Sequence, residues 1–407
     1  MIPLPLELVA PLGELDPAAW ADEITGVQVD SRRIEEGDLF VAVGGGADYR
    51  KHAFARGAAA TLVPADAFSA LAALGGAVRK RSGARVVAIT GSMGKTSTKD
   101  ILAAICTSQA RTVAAERSYN NEIGVPLTLC RVEPDTEIVV LELAMRGFGQ
   151  IAELCAFARP HVGVITMIAP VHLEKVGTLE GVIRAKSELI GALPAGGTAV
   201  VPSGFAVERE DIEVVRVGED VKLVSFEPPR LETSLGSFEV SFTPRHLAQN
   251  ALTALATANA LGLRIPERID VAFAEWRNQE LPLPGGGVLI NDAWNANPLS
   301  MRAALEHLAE LAAGRRRVAV LGGMAELGDY AEEAHREVAS AVQEIGVDVL
   351  ISVGADAQVY GGRSVEDAEA AVALLRGLLE PGDCVLVKGA RVLGLERVAE
   401  SLAGVAA

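Results

Sequence analysis

The apolar run Val86-Val87-Ala88-Ile89-Thr90 passes directly into Gly91-Ser92-Met93-Gly94-Lys95-Thr96-Ser97-Thr98. A short apolar run that stops at a glycine reads as a buried strand. The stretch that follows, Lys99 to Gln109, sets Ile101, Leu102, Ile105 and Cys106 on one helical face. The chain must therefore turn from strand to helix through a loop punctuated by Gly91 and Gly94. Such a turn aims backbone N–H groups and a helix N-terminus at an anion. Lys95 adds a mobile positive charge, and Thr96 a hydroxyl suited to Mg²⁺. The ligand implied is a nucleoside triphosphate, held by Gly91, Ser92, Met93, Gly94, Lys95, Thr96 and Ser97. The longer phosphate-loop pattern has a glycine where this chain has Ile89, so the loop is the tighter Gly-x-x-Gly-Lys-Thr form.

A chain of 407 residues, half of them hydrophobic, is too long for one ordinary core and is expected to form two or three domains. A net charge of −16 argues against nucleic-acid binding and against an anionic membrane surface. Cys106, Cys130, Cys155 and Cys384 show no Cys-x-x-Cys spacing and read as reduced, buried thiols of a cytoplasmic protein. The segment Met1 to Glu7 lacks the basic flank and long apolar run of a signal peptide, and no stretch has membrane-spanning character, so no membrane insertion is expected.

Residues 1–82 read as a first unit, with strands at Gly26–Asp30, Leu39–Val43 and Thr61–Val63, a helix at Ala53–Ala60, and a polar linker from Lys80 to Arg85. Residues 83–280 alternate strands (Val86–Thr90, Ile138–Leu143, Val162–Ile165, Thr198–Val201) with helices, the pattern of a parallel sheet covered on both faces. Short β-like pieces fill 202–243, and a helix runs from His246 to Leu261. Residues 281–407 repeat the alternation, with strands Gly287–Ile290, Val318–Leu321, Val349–Val353 and Cys384–Val387. Helices are expected at Ser300–Ala312, Ala331–Ile345 and Val365–Leu379. The class is α/β.

Ligands of parallel sheets gather at the carboxyl ends of strands. Glu142 ends one such strand, and His172 lies in the loop after another. Taken singly, Glu142 is a solvated strand-end carboxylate, His172 a structural histidine and Lys186 a surface lysine on a helix.

Several runs considered together change that reading. They are Asp30-Ser31-Arg32 with Gly37-Asp38-Leu39-Phe40-Val41-Ala42, the Thr90–Thr96 loop, and Asn120-Asn121-Glu122-Ile123-Gly124-Val125-Pro126. In the same order follow Leu141-Glu142-Leu143-Ala144-Met145-Arg146-Gly147, His172-Leu173-Glu174, Arg184-Ala185-Lys186, Asn291-Asp292-Ala293-Trp294-Asn295-Ala296-Asn297-Pro298 and Val387-Lys388-Gly389-Ala390-Arg391. In this order they resemble the Mur ligase family, which builds the peptide stem of bacterial cell-wall precursors. The Asn-Asn-Glu-Ile-Gly-Val-Pro and Asn-Ala-Asn-Pro runs are most similar to the branch that adds D-alanyl-D-alanine. The resemblance implies a three-domain architecture: an N-terminal UDP-sugar domain (1–82), a central parallel-sheet phosphate-loop ATPase domain (83–280), and a C-terminal Rossmann-like doubly wound domain binding the incoming dipeptide (281–407).

It also implies an ATP-dependent, Mg²⁺-dependent amide ligase working through an acyl phosphate on UDP-N-acetylmuramoyl-tripeptide, with D-alanyl-D-alanine as the incoming amine and a monomer as the working form. Lys95 would hold the β- and γ-phosphates. Thr96, Glu142, His172 and Lys186 would hold metal, Lys186 as a carbamate. Asn250, Arg277 and Asp292 would contact ATP. Asp30, Ser31, Arg32, Asn120, Asn121, Asn295, Asn297, Lys388 and Arg391 would contact the substrates. Departures from the family pattern at Met167, Ala169 and Leu247 leave two alternatives open: a sibling ligase adding another amino acid, and a non-catalytic nucleotide-binding relative.

Overall fold

The computed structural model describes residues 1–170 and 173–404. Its contacts divide into two compact units. One gathers Met1–Ile168, Ile183–Ser241 and Gln249–Ala272, and the other gathers Ala169–Val182, Phe242–Ala248 and Phe273–Ala407.

The first unit contains the phosphate-loop strand, Arg85–Thr90, in a six-stranded sheet. The strand order is Glu213–Val217, Thr198–Pro202, Val162–Ile165, Arg85–Thr90, Ile138–Glu142 and Thr112–Ala114, and every pair is parallel. All strand residues from Val86 to Thr90 and from Ile138 to Glu142 are buried. Burial on both faces is why these strands read as continuous apolar runs rather than alternating ones. A smaller sheet of Gly13–Pro17, Ala60–Pro64, Asp38–Val41 and Gly26–Gln28 precedes it. The weak pattern after residue 202 resolves into the last strand of the large sheet and a four-stranded sheet of Leu223–Glu227, Arg230–Thr233, Gly236–Val240 and Arg268–Ile269.

The N-terminal helices differ from expectation. The helix expected over Ala53–Ala60 spans Arg50–Ala55, because Gly57 turns the chain at φ +101° and Ala60 already belongs to a strand. Lys80 and Arg81 are not linker: they form the last turn of a helix, Ala67–Arg81. Asp66 caps its start by accepting from the Phe68 amide at 3.0 Å. The basic residues close its C-terminus, where they complement the helix dipole. Its Ala- and Gly-rich face gives no amphipathic signal but allows close approach: a Cβ on Gly75 would lie 2.9 Å from Pro126 Cα.

In the second unit the sheet order is Gln279–Leu283, Gly287–Asp292, Cys384–Lys388, Arg317–Gly322, Val349–Val353 and Arg363–Val365. The first strand, absent from the sequence reading, is an antiparallel edge, and the rest are parallel. Ala319 and Leu321 pack into one core with the helices Pro298–Ala312 and Ala331–Ile345. Val318 and Val320 pack into another with Ala368–Arg376 and Glu396–Ala403. That alternation defines a doubly wound sheet. The helix expected from Val365 starts at Ala368, because Asp367 caps it by accepting from the Ala370 amide.

Candidate active site

The strand Arg85–Thr90 delivers Gly91 at φ +153°, with a would-be Cβ only 2.0 Å from Thr166 Oγ1. Only glycine fits there. The Thr166 hydroxyl donates to the Met93 carbonyl at 2.6 Å, and the Ser92 amide donates to the Met167 carbonyl at 2.7 Å. The loop is thereby clamped to the exit of the neighbouring strand, Val162–Ile165. The departure at Met167 leaves this clamp intact, because the contact uses backbone. The loop ends at Gly94 (φ +83°), where the helix Lys95–Thr107 begins. Lys95 folds back so that Nζ donates to the Gly91 carbonyl at 2.8 Å, over the loop it would serve. Thr96 and Ser97 are buried in the first helical turn.

A Cβ on Gly94 would lie 2.4 Å from Asn250 Oδ1, so Asn250 sits against the loop. The change Gly94→Ala would force a left-handed alanine and displace Asn250. It is expected to cost about 1–2 kcal/mol of stability, read by urea denaturation, and to raise the KM for ATP.

Glu142 ends the strand beside the loop, paired in register with Ile89, and is 1% exposed. Its Oε1 accepts from Asn120 Nδ2 at 2.8 Å, whereas Oε2 has no hydrogen-bond partner among the described residues. A buried carboxylate oxygen without a donor is costly unless a cation completes it. Among the described residues no three His, Cys, Asp or Glu side chains form a metal cluster. A single carboxylate next to a phosphate cradle and a Thr hydroxyl instead fits Mg²⁺, which keeps few protein ligands and takes the rest from phosphate and water.

Lys186 is equally buried, and its amine is pushed well below its ordinary range, first by burial and then by the charge of Lys95. The surface lysine of the isolated reading is thus a buried amine. His172 lies outside the described residues. Asn121, expected at the substrate, is exposed, and its Oδ1 caps the helix Gly124–Leu129 by accepting from the Gly124 amide at 3.0 Å.

In the smaller sheet's loops, Asp30, Ser31 and Arg32 line a cavity of about 1000 Å³ together with Phe40, Tyr49 and His52. Asp30 accepts a fork from Arg32 (Nε 2.9 Å, Nη2 2.7 Å) as well as the Arg32 amide, and these bonds hold its carboxyl down at about 2. Ser31 Oγ lies 2.9 Å from His52 Nδ1. The expected trio is therefore brought together at one concave surface. His52 joins it without having been singled out.

The second unit treats its expected ligand contacts differently. Lys388, expected at the incoming dipeptide or the phosphates, is 2% exposed; its Nζ bonds Asp292 Oδ2 at 2.5 Å and the Asn295 carbonyl at 2.9 Å. Burial makes it a brace between two strand ends. Asn297 accepts from the Ser300 amide at 2.8 Å and caps the helix Pro298–Ala312 in a capping box. Asn295 is exposed. Arg391 bonds Glu396 at 2.6 Å and lies 4.6 Å over the Trp276 ring, which stacks on Trp294; Arg277 lies 5.7 Å from the Trp294 ring. This aromatic stack is a feature that spacing could not disclose. Lys388→Met leaves Asp292 buried without its cation and is expected to destabilise the fold by about 3–5 kcal/mol. The double change with Asp292→Leu should recover much of that loss in the same denaturation measurement.

The clamped loop, the buried carboxylate at the next strand's end and the doubly wound second unit define a phosphate-loop α/β protein. Family models for the Mur ligase middle domain and for the Mur ligase, glutamate ligase domain match residues 89–258 and 276–391. A UDP-N-acetylmuramoyl-tripeptide--D-alanyl-D-alanine ligase of Synechocystis sp. is 31% identical over 93% of this chain and 92% of its own length. The ligase of the same name from Mycobacterium bovis is 33% identical over 97% of both. A crystal structure of MurF from Acinetobacter baumannii superposes with a TM-score of 0.84 at 29% identity, covering 99% of each chain. The chain belongs to the Mur ligase family.

Proposed function

We propose that the chain is an ATP-dependent ligase that joins D-alanyl-D-alanine to UDP-N-acetylmuramoyl-tripeptide in peptidoglycan precursor synthesis. The observation that carries this reading is Glu142. A buried carboxylate with one oxygen unpartnered among the described residues stands beside a phosphate loop, in a chain whose relatives along nearly its whole length bear that activity in their names. The parts are 1–82 for the UDP-sugar, 83–280 for ATP and 281–407 for the dipeptide.

A carboxylate oxygen of the tripeptide attacks the γ-phosphorus of ATP, and the bridging P–O bond breaks with its electrons leaving on ADP. The amine of D-alanyl-D-alanine then attacks the acyl carbon, phosphate departs with the C–O electron pair, and the nitrogen loses a proton. Both steps concentrate negative charge on phosphoryl oxygens, so positioning and electrostatics dominate. Lys95 and the loop amides meet that charge. Thr96, Glu142, His172 and Lys186 (as carbamate) hold Mg²⁺, which supplies Lewis-acid neutralisation of the phosphates when bound. Asn250, Arg277 and Asp292 serve ATP. Asp30, Ser31 and Arg32 hold the uridine nucleotide in their cavity. Asn120 and Asn121 serve the acceptor side, and Asn295, Asn297, Lys388 and Arg391 the dipeptide side, with Lys388 and Asn297 acting through the backbone they brace.

The four cysteines are free and buried, and no described helix is long and apolar enough to cross a membrane. The free thiols fit a reducing compartment such as the cytoplasm, and a monomer is what the family resemblance implies.

Phosphate release with Mg²⁺-ATP, UDP-N-acetylmuramoyl-tripeptide and D-alanyl-D-alanine, omitting each in turn, tests the reading. Release is expected only with all three present, with a dipeptide mass gained on the nucleotide sugar. Release with a different amine alone would assign a sibling activity, and nucleotide binding without release would mark a non-catalytic relative.

A further inference from the structure

We propose that the first unit carries a second anion site, at the end of the parallel sheet away from the phosphate loop, which takes a carboxylate bearing a short apolar body. A cavity of about 580 Å³ opens there, with Arg79, Arg159 and His161 at its polar side and Ala156, Pro160 and Pro194 among its apolar walls. His161 immediately precedes the strand Val162–Ile165, whereas Thr166 at the strand's other end holds the phosphate loop. About 15 Å of strand separates the two places.

Two arginines line this cavity with no carboxylate partner among the described residues: Arg79, which is buried, and Arg159, which is exposed. Arg79, in the last turn of Ala67–Arg81, is 9% exposed, and its donors go to the Ala158, Arg159 and Ser82 carbonyls. Among the described residues no carboxylate pairs with Arg79 or Arg159. Glu188, whose charge acts on Cys155 in the cavity wall, is committed to the Gly149 and Ala152 amides at the other end of the helix Gln150–Ala158. Buried arginines are ordinarily paired with an acid.

The histidine sharpens the case. His161 Nδ1 accepts from the Val86 amide at 2.9 Å, which in the neutral ring places the proton on Nε2. That Nε2 lies 3.3 Å from Arg79 Nη2, itself a donor. Burial and the charges of Arg79 and Arg85 hold the ring below its ordinary range, so it stays neutral. Two donors facing each other cannot bond to each other, but both can reach one acceptor set beside them. A carboxylate is acceptor-only, planar, and offers two oxygens to such a pair, with Arg159 supplying further charge. The Ala and Pro walls suit an apolar body rather than a second charged group.

Hexanoate is the probe, with hexan-1-ol as its neutral control, measured by titration calorimetry on the full chain. Arg159→Gly removes one guanidinium while easing the backbone, since Arg159 sits at φ +47°. His161→Asn keeps an acceptor for the Val86 amide but removes the Nε2 donor. Saturable hexanoate binding is expected, weakened at least about tenfold by either change, unaffected by Lys95→Ala, and absent with hexan-1-ol. No saturable binding, or equal affinity in both variants at unchanged thermal midpoints, would overturn the site. Loss of binding in Lys95→Ala would move the anion to the phosphate loop, and equally tight binding of inorganic phosphate would overturn the carboxylate assignment.

Discussion

Replacing Lys95 with Ala is expected to lower kcat/KM for ATP by about 10³-fold, the scale set by removing one preorganised donor from developing charge. The side chain already lies over the loop, anchored to the Gly91 carbonyl at 2.8 Å. A lysine that leaves this carbonyl for a phosphate exchanges one neutral acceptor for a highly charged one, so little reorganisation is needed. The same replacement relieves Lys186 of a neighbouring positive charge. Stability should therefore change by less than about 1 kcal/mol. Steady-state kinetics with a parallel urea curve checks both halves. Wild-type turnover in a folded variant would remove Lys95 from the site.

Replacing Lys186 with Ala should cost at least about 10²-fold in kcat, with partial recovery when a short carboxylate such as acetate fills the space. The argument rests on the pKa direction. Burial first and Lys95 second push the amine well below 10.5. Near neutral pH far more of it is uncharged than for an exposed lysine, and only the uncharged amine adds CO₂ to become a metal-binding carbamate. Activity should fall as pH drops through the lowered pKa and return with bicarbonate. The sign for stability agrees. Between the lowered pKa and 10.5 the unfolded chain binds the proton that the folded chain does not, so this residue's contribution to stability rises with pH across that window. Lys186→Met should remove that slope and show no acetate rescue. No rescue of Lys186→Ala, with no response of the wild type to bicarbonate, would sink the carbamate role.

Much of the site was legible before any coordinates. The loop from Gly91 to Thr96 declares itself because strand, glycine turn and helix must follow one another locally. The strand-end rule puts Glu142 where ligands gather, but its expected role came only through resemblance. The Asp30-Ser31-Arg32 turn came only through resemblance, and the cavity around it, with His52, needed the fold. Lys388 and Asn297 show the opposite outcome. Their residue types suit a ligand, yet one is spent on Asp292 and the other on a helix cap. The helix Ala67–Arg81 went unread because its packing face is built from Ala and Gly, which carry almost no periodic signal, and the edge strand Gln279–Leu283 because only pairing with Gly287–Asp292 makes it a strand.

The sequence by itself determined the α/β class, the parallel strands and the phosphate loop, since each depends on contacts among residues close along the chain. Tertiary structure alone decided which charges are spent and which are left over. Among the described residues Glu142 keeps an oxygen without a donor, Lys186 loses its solvent, and Arg79 meets His161 donor to donor, because burial and pairing are set by residues distant in the chain.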